Sequence, residues 1–213
     1  MTTRILIADD QEDIRSGFRL ILDSQPDMTV VGEASDGRSA VALARELRPD
    51  VVLTDIRMPL LDGLEVTRLL ASETRVVVVT TFDLDEYVHT ALREGACGFL
   101  LKRSGPALLI EGVRAAMAGD TLISPQITVR LLSRPARERR IAPVAHPLTE
   151  REVEIVRLVA KGHTNAEIGA ELFISAGTAK THVANVQAKL AVRNRVGIAT
   201  WAWEHGVVGT DRS

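Results

Sequence analysis

Five polar side chains stand at the carboxyl ends of apolar runs: Asp9 and Asp10 after RILIA, Asp55 after DVVLT, Thr80 closing RVVVVT, and Lys102 after GFLL. Each alone has a plain structural explanation, because strand ends are often polar. Together they form a coherent chemical set. Three carboxylates crowded together repel and raise one another's pKa. A hard divalent cation removes that conflict, and Mg2+ takes one or two carboxylates, waters and a phosphate oxygen. Asp55 would then attack a phosphoryl group and form an acyl phosphate. Thr80 would donate to one phosphate oxygen and Lys102 would pair with another.

That chemistry needs a scaffold that brings the five together. Val51, Val52 and Leu53 do not alternate with polar residues, so they read as a strand buried on both faces. RILIA, TVVGEA, DVVLT, RVVVVT and GFLL are five strand candidates. Helical patterns lie between and after them at Glu12–Ser24, Asp36–Leu47, Gly63–Ala71, Leu84–Glu94 and Pro106–Ala118. Such alternation implies a parallel sheet covered by helices on both faces. In a doubly wound sheet of flavodoxin-like order, ligands sit outside the carboxyl ends of the strands, where all five residues would converge.

The rest of the chain differs in kind. Of the 213 residues, 1–132 carry 14 Lys+Arg against 20 Asp+Glu, and 133–213 carry 12 against 8. An acidic front and a basic back suggest two domains with different partners. Residues 133–147, SRPARERRIAPVAHP, mix prolines with arginines and read as an extended linker. Beyond them the pattern is all helical. Thr149 with Glu152 and Thr164 with Glu167 are capping-box signals, and Gly162 stops the first of these helices. Ser175 caps a third helix running to about Leu190, and NRVGIATWAWEH makes a fourth. From Leu172 to Trp203 there is no acid, while Lys180, Lys189, Arg193 and Arg195 fall in that span. An acid-free predicted helix suits a polyanion.

One cysteine, Cys97, excludes an internal disulfide and is expected to be a small core residue. No charged-then-apolar leader opens the sequence, and no apolar run approaches the roughly 20 residues that span a bilayer. A cytoplasmic protein with no membrane partner is expected.

Two resemblances sharpen the reading. Residues 1–120 resemble the receiver domain of two-component response regulators, through ADD, TDIRMPLLDG, VVVVTTF and GFLLK. The resemblance implies that Asp55 is the phosphoacceptor. It implies that Asp9, Asp10, Asp55 and the Arg57 backbone carbonyl hold Mg2+ or Mn2+, and that Lys102 binds phosphate. Thr80 and Phe99 match the switch pair, a hydroxyl that moves toward phosphate and an aromatic that turns inward. Plain core packing is the other reading of Phe99, which replaces the tyrosine often found there. Arg103-Ser104-Gly105 intervenes where receivers often place a proline directly after the lysine.

Residues 148–199 resemble the LuxR-type helix-turn-helix of NarL/FixJ response regulators, through LTEREVE, GHTNAEIGAEL, T-x-K-T-H-V and the KL…RNR close. In the third helix, Val183, Val186 and Leu190 recur at helical spacing and should face the core, leaving Lys180, Thr181 and Ala184 for a DNA groove. Thr164 and Asn165, at a helix N-terminus, are phosphate-contact candidates. Thr178, His182, Lys189, Arg193 and Arg195 complete the expected DNA set. Val196, Ile198 and Trp201 on the fourth helix are dimerisation candidates, with closure of the domain's own core as the other reading of the tryptophans.

These resemblances imply a flavodoxin-like (βα)5 receiver at 1–120. A linker with a short helix follows at 121–147, and a four-helix DNA-binding domain at 148–213. They imply a transcription factor in which a sensor histidine kinase phosphorylates Asp55 and so controls dimerisation and binding to double-stranded DNA. RNA polymerase is a further partner they allow. No enzyme is implied beyond Mg-dependent self-phosphorylation and slow autodephosphorylation. A DNA-binding regulator indifferent to phosphorylation is the second reading. A haloacid-dehalogenase-type phosphatase is a weaker third, because position 57 is Arg where that chemistry places an acid.

Overall fold

The computed structural model describes residues 2–82, 84–125, 127–128 and 147–207. Two compact units result. One holds the residues up to Met117 together with those from Thr121. The other holds Ala118–Asp120 together with the C-terminal residues.

In the first unit, β1 (Thr3–Ala8), β2 (Met28–Ala34), β3 (Val51–Thr54), β4 (Arg75–Thr80), β5 (Gly98–Leu101) and β6 (Leu122–Ile123) form one sheet in the order β2-β1-β3-β4-β5-β6. All five pairings are parallel. The helices are α1 (Glu12–Asp23), α2 (Gly37–Leu47), α3 (Gly63–Leu70), α4 (Asp85–Glu94) and α5 (Pro106–Ala118). Strand side chains alternate between faces. Ile5, Ile7, Val51, Leu53, Val77 and Val79 pack with Leu22 of α1 and with Leu109 and Val113 of α5. Leu6, Ala8, Val52 and Val76 pack with Ala40, Val41 and Ala44 of α2 and with Val66 and Leu70 of α3. Two separate apolar layers explain why these strands lack polar alternation. Cys97 packs against the first layer, and burial pushes its thiol up, as suits a core residue.

The sixth strand departs from expectation. Residues 121–147 read as linker with a short helix, yet Leu122–Ile123 pairs with Gly98 and Phe99 of β5. Helical residues begin again at Pro125. The expected linker at 133–147 lies, except for Pro147, outside the described residues.

The second unit contains α6 (Glu150–Ala160), α7 (Asn165–Leu172), α8 (Ala176–Leu190) and α9 (Arg195–Glu204). Both capping boxes form, Thr149 with Glu152 and Thr164 with Glu167. Ser175 caps α8 through the Thr178 N–H. Ile155, Val156, Val159, Ile168, Ala179, Val183, Val186, Ile198 and Ala202 make the core. The turn between α7 and α8 requires Gly169, where a Cβ would lie 2.7 Å from the Ile174 carbonyl oxygen.

Candidate functional site

The carboxyl ends of β1, β3, β4 and β5 bring the sequence-selected residues of the first unit together. Asp9 and Asp55 are buried and Asp10 is exposed, yet one carboxylate oxygen from each lies within 4.8 Å of the others. Lys102 Nζ sits 2.6 Å from Asp9 Oδ2 and 2.8 Å from Asp55 Oδ2, with only 5% of its side chain exposed. The other Asp55 oxygen accepts the Ile56 N–H at 2.6 Å. Asp9 Oδ1 accepts the Gln11 N–H at 3.0 Å.

Charge in the pocket follows this geometry. Burial pushes the Asp9 carboxyl up, more than Lys102 and the Gln11 N–H pull it down. Burial pulls Lys102 down, but its hydrogen bonds to Asp55 and Asp9 outweigh that and hold the ammonium above its usual range. Three acids and one cation leave the pocket anionic. Its oxygen donors, one of them exposed, fit a hard divalent ion.

The loop after β3 is shaped by close approach. Asp62 and Glu65 form a capping box at the start of α3. A Cβ on Gly63 would come within 1.8 Å of the Asp55 carbonyl oxygen, so only glycine lets α3 begin there. Arg57, in the same loop, is exposed. Its guanidinium carbon stands 3.9 Å from the ring centre of Phe82, in the loop after β4. Thr80 is wholly buried, and its Oγ1 accepts the Phe82 N–H at 3.3 Å. Phe99 is also wholly buried within β5.

Lys102–Ser104 forms a short 3-10 turn, and Gly105 follows at φ +83°. The three residues before Pro106 therefore leave Lys102 within reach of both aspartates. Ser124 braces this turn, which sequence reasoning missed. Its Oγ accepts the Leu101 N–H and bonds the Ser104 hydroxyl, each at 3.0 Å.

In the second unit, Thr178, Thr181 and Ala184 are exposed along α8, with Lys180 and His182 half-buried beside them. Val183 and Val186 face the core, with Leu190 packed against it. Thr164 is exposed at the N-cap of α7, and Arg193 is exposed before α9. Three expected DNA contacts are engaged internally. Lys189 Nζ bonds Glu152 Oε2 at 2.8 Å. Asn165 and Arg195 are buried and joined at 3.0 Å. Arg195 also donates to the His163 carbonyl and pairs at 3.1 Å with Asp120 of the same unit. Among the dimerisation candidates, Ile198 is wholly buried in the core and presents no surface. Val196 is half-buried, Trp201 packs on the core and stacks on His205, and Trp203 is the more exposed tryptophan.

Comparison with known proteins now decides the family. Residues 5–114 match the response regulator receiver domain, and residues 146–202 match the bacterial regulatory proteins of the luxR family. The chain belongs to the response regulators with a LuxR-type DNA-binding domain. It is similar to the transcriptional regulatory protein LiaR of Bacillus subtilis, at 40% identity over 96% of this chain and 99% of that one. It is 35% identical to the response regulator protein VraR of Staphylococcus aureus, over 98% of this chain and all of VraR. Among solved structures, the response regulator ChrA of a heme-sensing two-component system is 36% identical, with a TM-score of 0.54 over 97% of this chain and 99% of that one. This response regulator is accordingly a transcription factor and not an enzyme of the usual kind. Its receiver domain implies a cognate histidine kinase and its LuxR-type domain implies DNA. Among the described residues, no helix is long and apolar enough to cross a membrane.

Proposed function

We propose that Asp55 accepts a phosphoryl group from a histidine kinase, and that this modification controls dimerisation and sequence-specific DNA binding. The receiver role falls to residues 1–120 and the DNA-binding role to 148–213. One observation supports the reading above the others: Asp55 is held by the Ile56 N–H on one oxygen and by Lys102 on the other. A carboxylate so fixed at a strand end is a positioned nucleophile.

In the transfer, an Asp55 oxygen bonds to phosphorus as the phosphorus–nitrogen bond of the phosphohistidine breaks. Lys102 follows the negative charge onto a phosphoryl oxygen, and the Thr80 hydroxyl donates to another. Asp9, Asp10, Asp55 and the Arg57 carbonyl would hold a Mg2+ or Mn2+ ion, which supplies charge neutralisation for the phosphoryl oxygens. Phe99, buried in β5 beside β4, would turn into the space that Thr80 leaves as it moves toward the phosphoryl group. Such a switch acts only if the phosphoryl group favours one receiver conformation over another.

The exposed face of α8, with Thr178, Lys180, Thr181, His182 and Ala184, would enter the major groove. Thr164 and Arg193 would contact phosphates. Lys189, Asn165 and Arg195 serve the domain's internal packing first. Val196 and Trp201, both half-buried, and the exposed Trp203 would face a second copy across α9.

The test treats the chain with Mg2+ and a small phosphodonor, then measures mass, oligomeric state and DNA selection beside Asp55→Ala. Label on the wild type alone, with a change in both assembly and DNA affinity, is expected. Label without either change would favour a DNA-binding regulator indifferent to phosphorylation.

A further inference from the structure

Arg15, Arg19 and Asp23 recur one turn apart along α1, and a spacing of four keeps them on one face of the helix. That face meets β2. Glu33 of β2 receives the first two, Arg15 Nε on one carboxylate oxygen at 3.3 Å and Arg19 Nε on the other. Arg19 also donates to the Val30 carbonyl at 3.2 Å, and Asp23 accepts the Val30 N–H at 2.7 Å. Such a row would do no more than seam α1 to the sheet, except that Arg15 reaches further. Its Nη1 donates at 2.8 Å to the carbonyl oxygen of Asp9, and only 14% of its side chain is exposed.

With that bond every polar atom of Asp9 has a protein partner. Its N–H donates to the Ala34 carbonyl at 3.0 Å, Oδ1 accepts the Gln11 N–H, and Oδ2 meets Lys102. The carbonyl matters most for the next residue, because it belongs to the planar peptide unit that joins Asp9 to Asp10. Fixing that plane fixes the direction in which the chain leaves Asp9, and so the point from which the exposed Asp10 carboxylate projects. A guanidinium suits this task. Its planar fork holds Glu33 with one N–H and the carbonyl with another, and its pairing with Glu33 keeps the local charge balanced.

We propose that Arg15, itself held by Glu33, is a positioning residue for the Asp9–Asp10 pair and sets the affinity of the pocket for a divalent cation. The proposal rests on the reading of Asp9, Asp10 and Asp55 as metal ligands. Arg15 acts by holding one peptide plane, not by contact with metal or phosphoryl group. Position and charge make opposite forecasts. Were Arg15 simply a cation near an acidic pocket, its removal would lessen repulsion of the metal and tighten binding. As a brace, its removal frees the Asp10 backbone and weakens binding. Groups that orient the ligands of a metal contribute about ten- to a hundredfold in affinity. A brace on the backbone belongs at the lower end.

The experiment titrates the unphosphorylated full chain with Mn2+ and reads the free ion by its electron paramagnetic resonance signal. Arg15→Met should raise the dissociation constant about tenfold while the wild-type stoichiometry is kept. Glu33→Gln should move it in the same direction. The double variant should bind no more weakly than the weaker single variant, because the two residues act in series. Arg19→Met, which loosens the same seam without touching Asp9, should change the constant by less than about twofold. Should Arg15→Met not fold, Arg15→Lys, which retains the charge and loses the fork, repeats the measurement with a smaller loss expected. Unchanged or tighter binding in the Arg15 variants, an equal loss in Arg19→Met, or fully additive effects of Arg15→Met and Glu33→Gln would overturn the brace. A wild type that binds no Mn2+, or an Asp10→Asn variant that binds as wild type does, would instead overturn the metal reading of the pocket, and the brace with it.

Discussion

The Lys102 ammonium lies 2.6 Å from the Asp9 carboxylate, with 5% of one side chain and 2% of the other exposed. Because Lys102 also bonds Asp55, one cation bridges two buried acids. Removing one member of a buried ion pair costs several kcal/mol, since the charge left behind stays unsolvated. Lys102→Met should therefore lose about 3 kcal/mol in metal-free buffer. Added Mg2+ should recover part of that loss by supplying the missing charge. Urea unfolding with and without Mg2+ checks this, and an unchanged metal-free stability would refute it.

A second ion pair makes stability depend on pH. Lys189, and after it the Thr149 N–H, hold the Glu152 carboxyl below the usual glutamate range. A carboxyl depressed on folding stabilises the native state above its unfolded pKa, and the contribution disappears as pH falls through the folded value. The gap in stability between wild type and Glu152→Gln should be full near neutrality and should close in acid. Denaturant unfolding across that range is the measurement. A gap that stays constant would mean that the charge contributes nothing.

Two glycines should respond in opposite directions. Gly63→Ala drives a Cβ into the Asp55 backbone, and backbone cannot swing aside, so a loss of about 3 kcal/mol is expected. Gly17 lies inside α1, and its added Cβ would meet nothing within 4 Å. There Gly17→Ala should gain about 0.5–1 kcal/mol from helix propensity. Thermal melts of both variants decide the matter.

Basic residues of the second unit should separate into two behaviours. Lys180→Ala on α8 should weaken DNA binding while the melting temperature holds, and should reduce the salt slope by about one ion. Arg195→Ala should lower the melting temperature first, because it strips a buried partner from Asn165, Asp120 and the His163 carbonyl. Paired melts and salt titrations test this division. It fails if Arg195→Ala keeps its stability.

Much of this architecture was legible in the residues. Short apolar runs located five strands, and the Asp, Thr or Lys at the ends of four of them located the functional edge. Thr149 and Thr164, each followed three residues later by Glu, and Ser175 located the starts of three helices in the second unit. Leu122–Ile123 escaped because two residues cannot display a period. Arg195 and Asn165 escaped for another reason. A charged residue in an acid-free stretch reads as surface, and nothing local reveals that the His163 carbonyl will accept from it. Ile198 was misread because α9 is apolar on more than one side. The Arg57–Phe82 contact left a usable trace: Arg57 stands two positions past Asp55 and Phe82 two positions past Thr80, beyond strands adjacent in the expected order.

The two hydrogen bonds of Ser124 bear on where the phosphoacceptor half can be cut free. Its hydroxyl holds the backbone at Leu101 and the side chain of Ser104, on either side of the lysine that grips the nucleophile. An excised fragment ending near position 114 or 120 would keep all five pocket residues and still release that brace. The smallest autonomous phosphoacceptor should therefore run past Thr128. Shorter pieces would take label poorly through a slack lysine, even with every carboxylate intact.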